Sequence, residues 1–162
     1  MCSCILHYLS VLFGGKAVRA SPGGPALTND LHSMDLSSFQ WTQHSFEGGP
    51  EPRAKHTATV VGPNTVCVFG GSNLSARLND CWMLDTATMK WSPTYDESTA
   101  DVPAPRSGHA ACLLDNQLYI VFGYGGFGYG RRDLADICAL DLTSKTWSVI
   151  TPDGEPPHAR SD

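Results

Sequence analysis

The chain has 162 residues, of which 41% are apolar and 17% are charged, and its formal net charge is −5. This length suits one globular domain, and the apolar fraction excludes a chain that is disordered throughout. The acidic balance argues against a nucleic-acid or membrane-surface binder, because both depend on a concentrated basic patch.

The N-terminal segment 1–13 matches a signal peptide only in length, because it lacks a cationic start and carries His7 in its apolar run. No apolar run in the chain reaches the ~20 residues of a membrane-spanning helix. We therefore expect a cytoplasmic protein, with a nuclear location as the second option and secretion disfavoured. Cys2, Cys4 and His7 are weak metal-ligand candidates without a second pair, and the six cysteines, which include no CxxC, favour buried free thiols.

A pattern of several parts occurs three times along the chain. Each copy has an apolar run ending in glycines, then a polar loop, two aspartates, and a tryptophan six residues after the second aspartate. The copies are 12–15 with Asp30, Asp35 and Trp41; 68–71 with Asp80, Asp85 and Trp91; and 121–126 with Asp136, Asp141 and Trp147. A Pro-Arg-x-x-His sequence precedes the second and third copies, with Arg53 and His56, then Arg106 and His109.

Each copy contains four short runs of strand-forming residues, which in the second copy are 56–61, 65–69, 80–84 and 89–92. We call these strands a to d. The a–b and c–d connections are short, with Asp or Asn able to bond nearby backbone amides, whereas the b–c and d–a connections are long. In an antiparallel meander, all the long connections lie at the same end of the sheets. We expect the tryptophans to pack between neighbouring sheets.

The glycines of the third copy also match the spacing of a dinucleotide-binding loop, with Gly123, Gly125 and Gly128. That loop must open a helix whose N-terminus receives the pyrophosphate. The residues that follow align instead with strands of the other two copies, so we interpret this segment as a loop between strands.

These elements resemble the kelch repeat, whose period is about 50 residues, and the resemblance covers nearly the whole chain 1–162. It implies repeats at about 1–52, 53–105 and 106–159. The implied fold is all-β, a kelch-type β-propeller segment with three four-stranded antiparallel blades in a partial, open ring. Since three blades do not close a ring, we expect a segment of a longer kelch protein or a chain that associates to complete one.

The resemblance implies a non-catalytic module that binds another protein through the rim of long b–c and d–a loops, besides contacting further kelch blades. Arginine and aromatic residues are enriched at binding hot spots. The predicted contact residues are Arg53, Lys55, Arg77, Arg106, Ser107, Tyr124, Phe127, Tyr129, Arg131 and Arg132.

The alternative function is a metal-dependent enzyme on the same scaffold, similar to plant specifier proteins or galactose oxidase. The iron-binding pattern Glu-x-x-x-Asp-x-x-x-His of specifier proteins is matched by Glu97 and Asp101, but Pro105 stands at the histidine position. No catalytic, metal or cofactor site is therefore predicted.

Overall fold

A computed structural model describes residues 2–6, 8–17, 26–94, 101–126, 128–155 and 157–161. Three four-stranded antiparallel sheets follow one another along the chain, each in the order a-b-c-d. Blade 1 comprises β1 (Cys2–Leu6), β2 (Leu9–Ala17), β3 (Ala26–Asp35) and β4 (Trp41–His44). Blade 2 comprises β5 (Thr57–Gly62), β6 (Thr65–Ser72), β7 (Arg77–Asp85) and β8 (Lys90–Pro93).

Blade 3 is interrupted by a smaller sheet. The blade itself comprises β10 (Ala110–Leu114), β11 (Gln117–Val121), β14 (Ile137–Asp141) and β15 (Trp147–Ile150). The smaller sheet has β12 (Tyr124–Gly125) between β9 (Arg106–Ser107) and β13 (Arg132–Asp133). A single 3-10 turn, Gly128–Gly130, follows the glycine-rich segment, so the loop opens no α-helix and the dinucleotide interpretation is excluded.

The c–d hairpins have the same construction in all three blades. The aspartate that ends strand c accepts hydrogen bonds from the backbone N–H groups two and three positions later, at 2.7–3.2 Å. These bonds satisfy amides that a tight turn would otherwise leave unpaired. The pKa of each carboxyl is held below its usual value, at Asp35 by the Ser37 hydroxyl first and then by the backbone amides, and at Asp85 and Asp141 chiefly by the backbone amides. The three residues are Asp35, Asp85 and Asp141.

The two short connections of each blade lie together at one end. In every blade a backbone N–H of the c–d turn donates to a carbonyl oxygen of the a–b turn, at 2.7–3.1 Å: Leu36 to Tyr8, Thr86 to Asn64, and Leu142 to Asn116. At the other end, the d–a connection between blades 1 and 2 pairs with the end of strand b of blade 2 through an Ala54–Ser72 bridge. The long loops therefore form a common rim, as the strand count predicts.

Two apolar cores hold the three blades side by side. Between blades 1 and 2, the Trp91 ring lies 4.9 Å from that of Phe13. Between blades 2 and 3, the Trp147 ring lies 5.2 Å from that of Phe69, and Trp147 is only 5% exposed. The strand-d tryptophan of a blade thus packs on the preceding blade.

Trp41 differs from the other two tryptophans, because blade 1 has no preceding blade in the structure. Its side chain is 56% exposed, so the prediction that it packs between blades is wrong within a single copy of the chain. The three blades form an open, partial propeller. No helix among the described residues has the length and apolar content needed to cross a membrane.

The third glycine copy is shifted by one residue relative to the sequence alignment. Val121, like Phe69, pairs with the residue that follows the first motif aspartate, so Val121 takes the place of Phe69. Phe122 then replaces the first glycine of the pair, with φ 62° compared with 60° at Gly70. Both carbonyl oxygens accept a bond from a motif arginine at 3.1 Å. Aligning Phe122-Gly123 with Phe69-Gly70 by residue type is therefore wrong. The backbone conformation and strand pairing of Phe69-Gly70 recur at Val121-Phe122, one residue earlier.

Candidate functional site

Arg53 joins blade 1 to blade 2. Its backbone N–H donates to the Thr28 carbonyl at 3.2 Å, and its carbonyl accepts from Gly15 N at 2.9 Å, both in blade 1. Its guanidinium donates to both carboxylate oxygens of Asp80 at 2.6 and 2.7 Å and to the Gly70 carbonyl at 3.1 Å, in blade 2. The side chain is fully buried. We call this arrangement, an arginine bound to one blade and the aspartate of the next, a latch.

Arg106 forms the same latch for blade 3. Its guanidinium donates to Asp136 at 2.9 and 2.7 Å and to the Phe122 carbonyl at 3.1 Å, and its side chain is also fully buried. Burial opposes ionisation of Asp136, but hydrogen bonds and charge from Arg106 outweigh it, and the pKa of this carboxyl is lowered.

The motif histidines pack beside the latches. The rings of His56 and His109 lie edge-on to Phe13 and Phe69 at 5.5 and 5.3 Å. Burial, then the nearby arginine charge, lowers the pKa of His56 to about 4 and of His109 to about 3. Both rings are therefore neutral at physiological pH, as expected for packing residues.

Three of the predicted contact residues are not available on the rim. Arg53 and Arg106 are enclosed in the latches, and Ser107 is buried in β9 against β12. The repetition of the two arginines along the chain reflects the construction of each blade junction. We correct their assignment from partner contact to structure.

Tyr124 lies in an ordered part of the rim. It pairs with Ser107 on one side and Asp133 on the other, at the centre of the small three-stranded sheet. The Arg77 guanidinium carbon lies 5.0 Å from the centre of the Tyr124 ring. This cation–π contact joins the start of β7 in blade 2 to the b–c connection of blade 3.

Leu74 is not among the contact residues predicted from sequence, yet it is 86% exposed at the tip of the blade 2 b–c loop. The Asn73 side-chain oxygen accepts the backbone N–H groups of Ser75 and Ala76 at 2.8 and 2.6 Å, and the Asn73 amide donates to Glu51 at 2.9 Å. The turn is thus fixed, and it holds a large apolar side chain in water. The sequence signal that indicates this exposure is a single leucine within a loop of small residues, Ser72-Asn73-Leu74-Ser75-Ala76.

The other predicted contact residues divide into exposed and undescribed ones. Lys55, Arg131 and Arg132 are exposed. Phe127 and the side chain of Tyr129 lie outside the described part of the chain. Beside Arg132, a recess of about 760 Å³ extends over Asp133 to the latch residue Asp136. We call the exposed surface of Leu74, Arg77, Tyr124, Arg131 and Arg132 the rim surface.

No group of three His, Cys, Asp or Glu side chains within the described ranges is arranged to hold a metal ion. Cys4 packs against the core between blades 1 and 2. Asp101 is exposed, while His7 and Glu97 lie outside the described residues. The five cysteines whose side chains are described are free thiols, and Cys67 and Cys81 lie with their sulfurs 3.2 Å apart in the core.

Comparison with known proteins yields one family match and several relatives. The sequence model of the KLHDC2/KLHL20/DRC7 Kelch-repeats domain matches residues 2–162. Acyl-CoA-binding domain-containing protein 5 of Arabidopsis thaliana is 33% identical over 87% of this chain and 20% of its own length. The tRNA wybutosine-synthesizing protein 2/3/4 of Oryza sativa subsp. japonica is 34% identical over 93% of this chain and 14% of its own. The human Rab9 effector protein with kelch motifs is 33% identical over 82% of this chain and 35% of its own. The chain thus spans about a third or less of each of these relatives.

Proposed function

Because the chain belongs to the kelch-repeat family, a protein-interaction module is its best-supported role, and we propose that it binds a partner protein through the rim surface and is non-catalytic. We further propose a cytoplasmic location, with additional kelch blades as a second class of partner.

The observation that carries this proposal is the fixed presentation of Leu74 in the turn that leads into Arg77, whose guanidinium contacts the Tyr124 ring. A large apolar side chain in water has a free-energy cost that burial against a partner removes, at about 25 cal/mol per Å². An ordered loop loses little conformational entropy on binding, so more of that free energy appears as affinity. Tyr and Arg next to an apolar anchor are typical of binding hot spots.

The named relatives support an interaction role. One of them is named as an effector of Rab9, which describes a protein that acts through another protein. Another is named as a synthesizing enzyme, but this chain spans only 14% of it. The metal-dependent alternative lacks its third ligand at Pro105, and it is not adopted.

Site-specific photo-crosslinking in cells tests the rim surface. A photoreactive phenylalanine analogue is placed at Leu74 in one variant and at Ala87, in the opposite-end c–d turn, in another. We expect a crosslinked protein from position 74 and none from position 87. Adding Tyr124→Ala to the position 74 variant should reduce the yield at least several-fold, because the rim surface then loses the aromatic ring that Arg77 contacts.

Val149→Ala provides the matched control, since Val149 is an exposed apolar residue on the outer strand of blade 3. This variant should leave crosslinking from position 74 unchanged, and far-ultraviolet circular dichroism should show that all variants are folded. Equal crosslinking from both ends of the blades, or a yield unaffected by Tyr124→Ala, would contradict binding through the rim surface.

A further inference from the structure

The C-terminal end of the described chain carries half of a third latch. The Arg160 carbonyl accepts from Gly123 N of blade 3 at 3.0 Å, as the Arg53 carbonyl accepts from Gly15 N at 2.9 Å. The Arg160 Nε donates to the carbonyl two residues earlier at 3.1 Å, as Arg53 Nε does. Unlike Arg53, Arg160 is exposed and has no carboxylate partner among the described residues. Its guanidinium is thus positioned for an aspartate of a following blade.

Blade 1 carries the other half. Asp30 holds the position of Asp80 and Asp136, directly before the strand-c residue that pairs with the end of strand b. In all three blades a donor two positions later contacts this carboxylate: His32 at 3.1 Å, Trp82 at 2.8 Å and Cys138 at 3.5 Å. Asp30 is 39% exposed, and within the described ranges no arginine binds it.

The apolar faces beside these two half-latches are also unpartnered. Strand alternation places Ile5 and Trp41 on the outer face of blade 1, where they are 65% and 56% exposed. It places Leu114, which is 59% exposed, with Val121 on the outer face of blade 3. Val121 stands where Phe13 and Phe69 receive a tryptophan in the two formed junctions.

We propose that these two end faces bind each other between two copies of this chain. Arg160 of each copy binds Asp30 of the other, and Trp41 of each packs near Val121 of the other, which reproduces the junctions between blades 1, 2 and 3. The charges are complementary, and a single chain carries both halves of the contact. Such a heterologous contact closes a ring when the rotation permits. Two copies supply six blades, within the range of 4 to 8 found in propellers.

Light scattering coupled to size-exclusion chromatography tests this on the 162-residue chain. We expect a dimer at micromolar protein concentration. Quenching of tryptophan fluorescence by acrylamide should decrease as the protein concentration rises, because Trp41 becomes buried in the dimer. Asp30→Arg and Arg160→Asp should each be monomeric, because each places like charges at both contacts and weakens association by about 100-fold or more. An equimolar mixture of the two variants should form a heterodimer, since both of its contacts are then complementary.

Asp153→Arg and Lys90→Asp are the controls, because they make the same charge changes at exposed positions that are not part of either half-latch. Both should remain dimeric. A wild-type chain that is monomeric at all concentrations would overturn the proposal, and so would open polymers or a mixture of the two charge variants that fails to associate. None of these measurements involves a rim partner, so their outcome is separate from that of the proposed binding through the rim surface; the proposal deepens only the second class of partner, the additional kelch blades.

Discussion

Replacing Arg53 by alanine tests whether the latch holds neighbouring blades together. The change removes four guanidinium hydrogen bonds from a side chain that is fully buried: two to Asp80, one to the Gly70 carbonyl and one to the Glu51 carbonyl. Breaking a buried ion pair costs about 3–5 kcal/mol. Because Asp80 is 39% exposed and water can solvate it, we expect the lower end, about 3 kcal/mol.

Urea denaturation followed by circular dichroism measures this cost. The m-value should also fall, because blades that lose their junction unfold less cooperatively. Arg131→Ala removes the same charge from an exposed position, and it should change the free energy of unfolding by less than about 0.5 kcal/mol. A loss below about 1 kcal/mol for Arg53→Ala would refute the reasoning, since an exposed ion pair contributes that little.

Three further predictions concern side chains at the blade junctions. Trp147→Ala should lower the free energy of unfolding by about 3–5 kcal/mol, whereas Trp41→Ala, measured in dilute protein by urea denaturation, should change it by less than about 1 kcal/mol. Phe122→Gly should change the free energy of unfolding by no more than about 1 kcal/mol, because the φ of Phe122 is positive. Phe69→Gly should lower it by about 4 kcal/mol, because Phe69 is buried. Equal losses of stability in thermal melts would contradict the one-residue shift. Acidification should destabilise the fold by about 1 kcal/mol per pH unit through His109 below about pH 6.5, because the unfolded chain takes up a proton there and the folded chain does so only near pH 3. In urea titrations at several pH values, His109→Gln should make the pH dependence of the unfolding free energy less steep, and the remaining dependence includes the contribution of His56, whose pKa is also lowered. An unchanged slope would exclude His109 as a contributor.

The repeated sequence elements predicted the blades because each encodes a local backbone requirement. The aspartates that begin the c–d turns bond amides two and three residues away, so their effect is visible in sequence. The motif arginines were placed on the rim because their loops lie there. Their side chains instead reach aspartates 27 and 30 residues later, and sequence spacing does not show such contacts.

The candidate site was less predictable than the fold. Leu74 has no counterpart in the repeated pattern, and its exposure depends on the turn that Asn73 fixes. Phe122 has the side chain of Phe69 but the backbone conformation of Gly70. This shift is visible in the φ values and not in the sequence. Trp41 follows the pattern and still lies in solvent, since its packing depends on a neighbouring blade.

The separation between the two halves of each latch sets an order of assembly during translation. Arg53 is synthesised 27 residues before Asp80, and Arg106 30 residues before Asp136. At about 5–20 residues per second, each arginine leaves the peptidyl-transferase centre roughly 1 to 6 seconds before its carboxylate does. The latch of a nascent blade can therefore form only after most of the next blade has been synthesised. A ribosome that pauses within this interval leaves a blade without its latch, with the arginine side chain in water at the edge of the sheet.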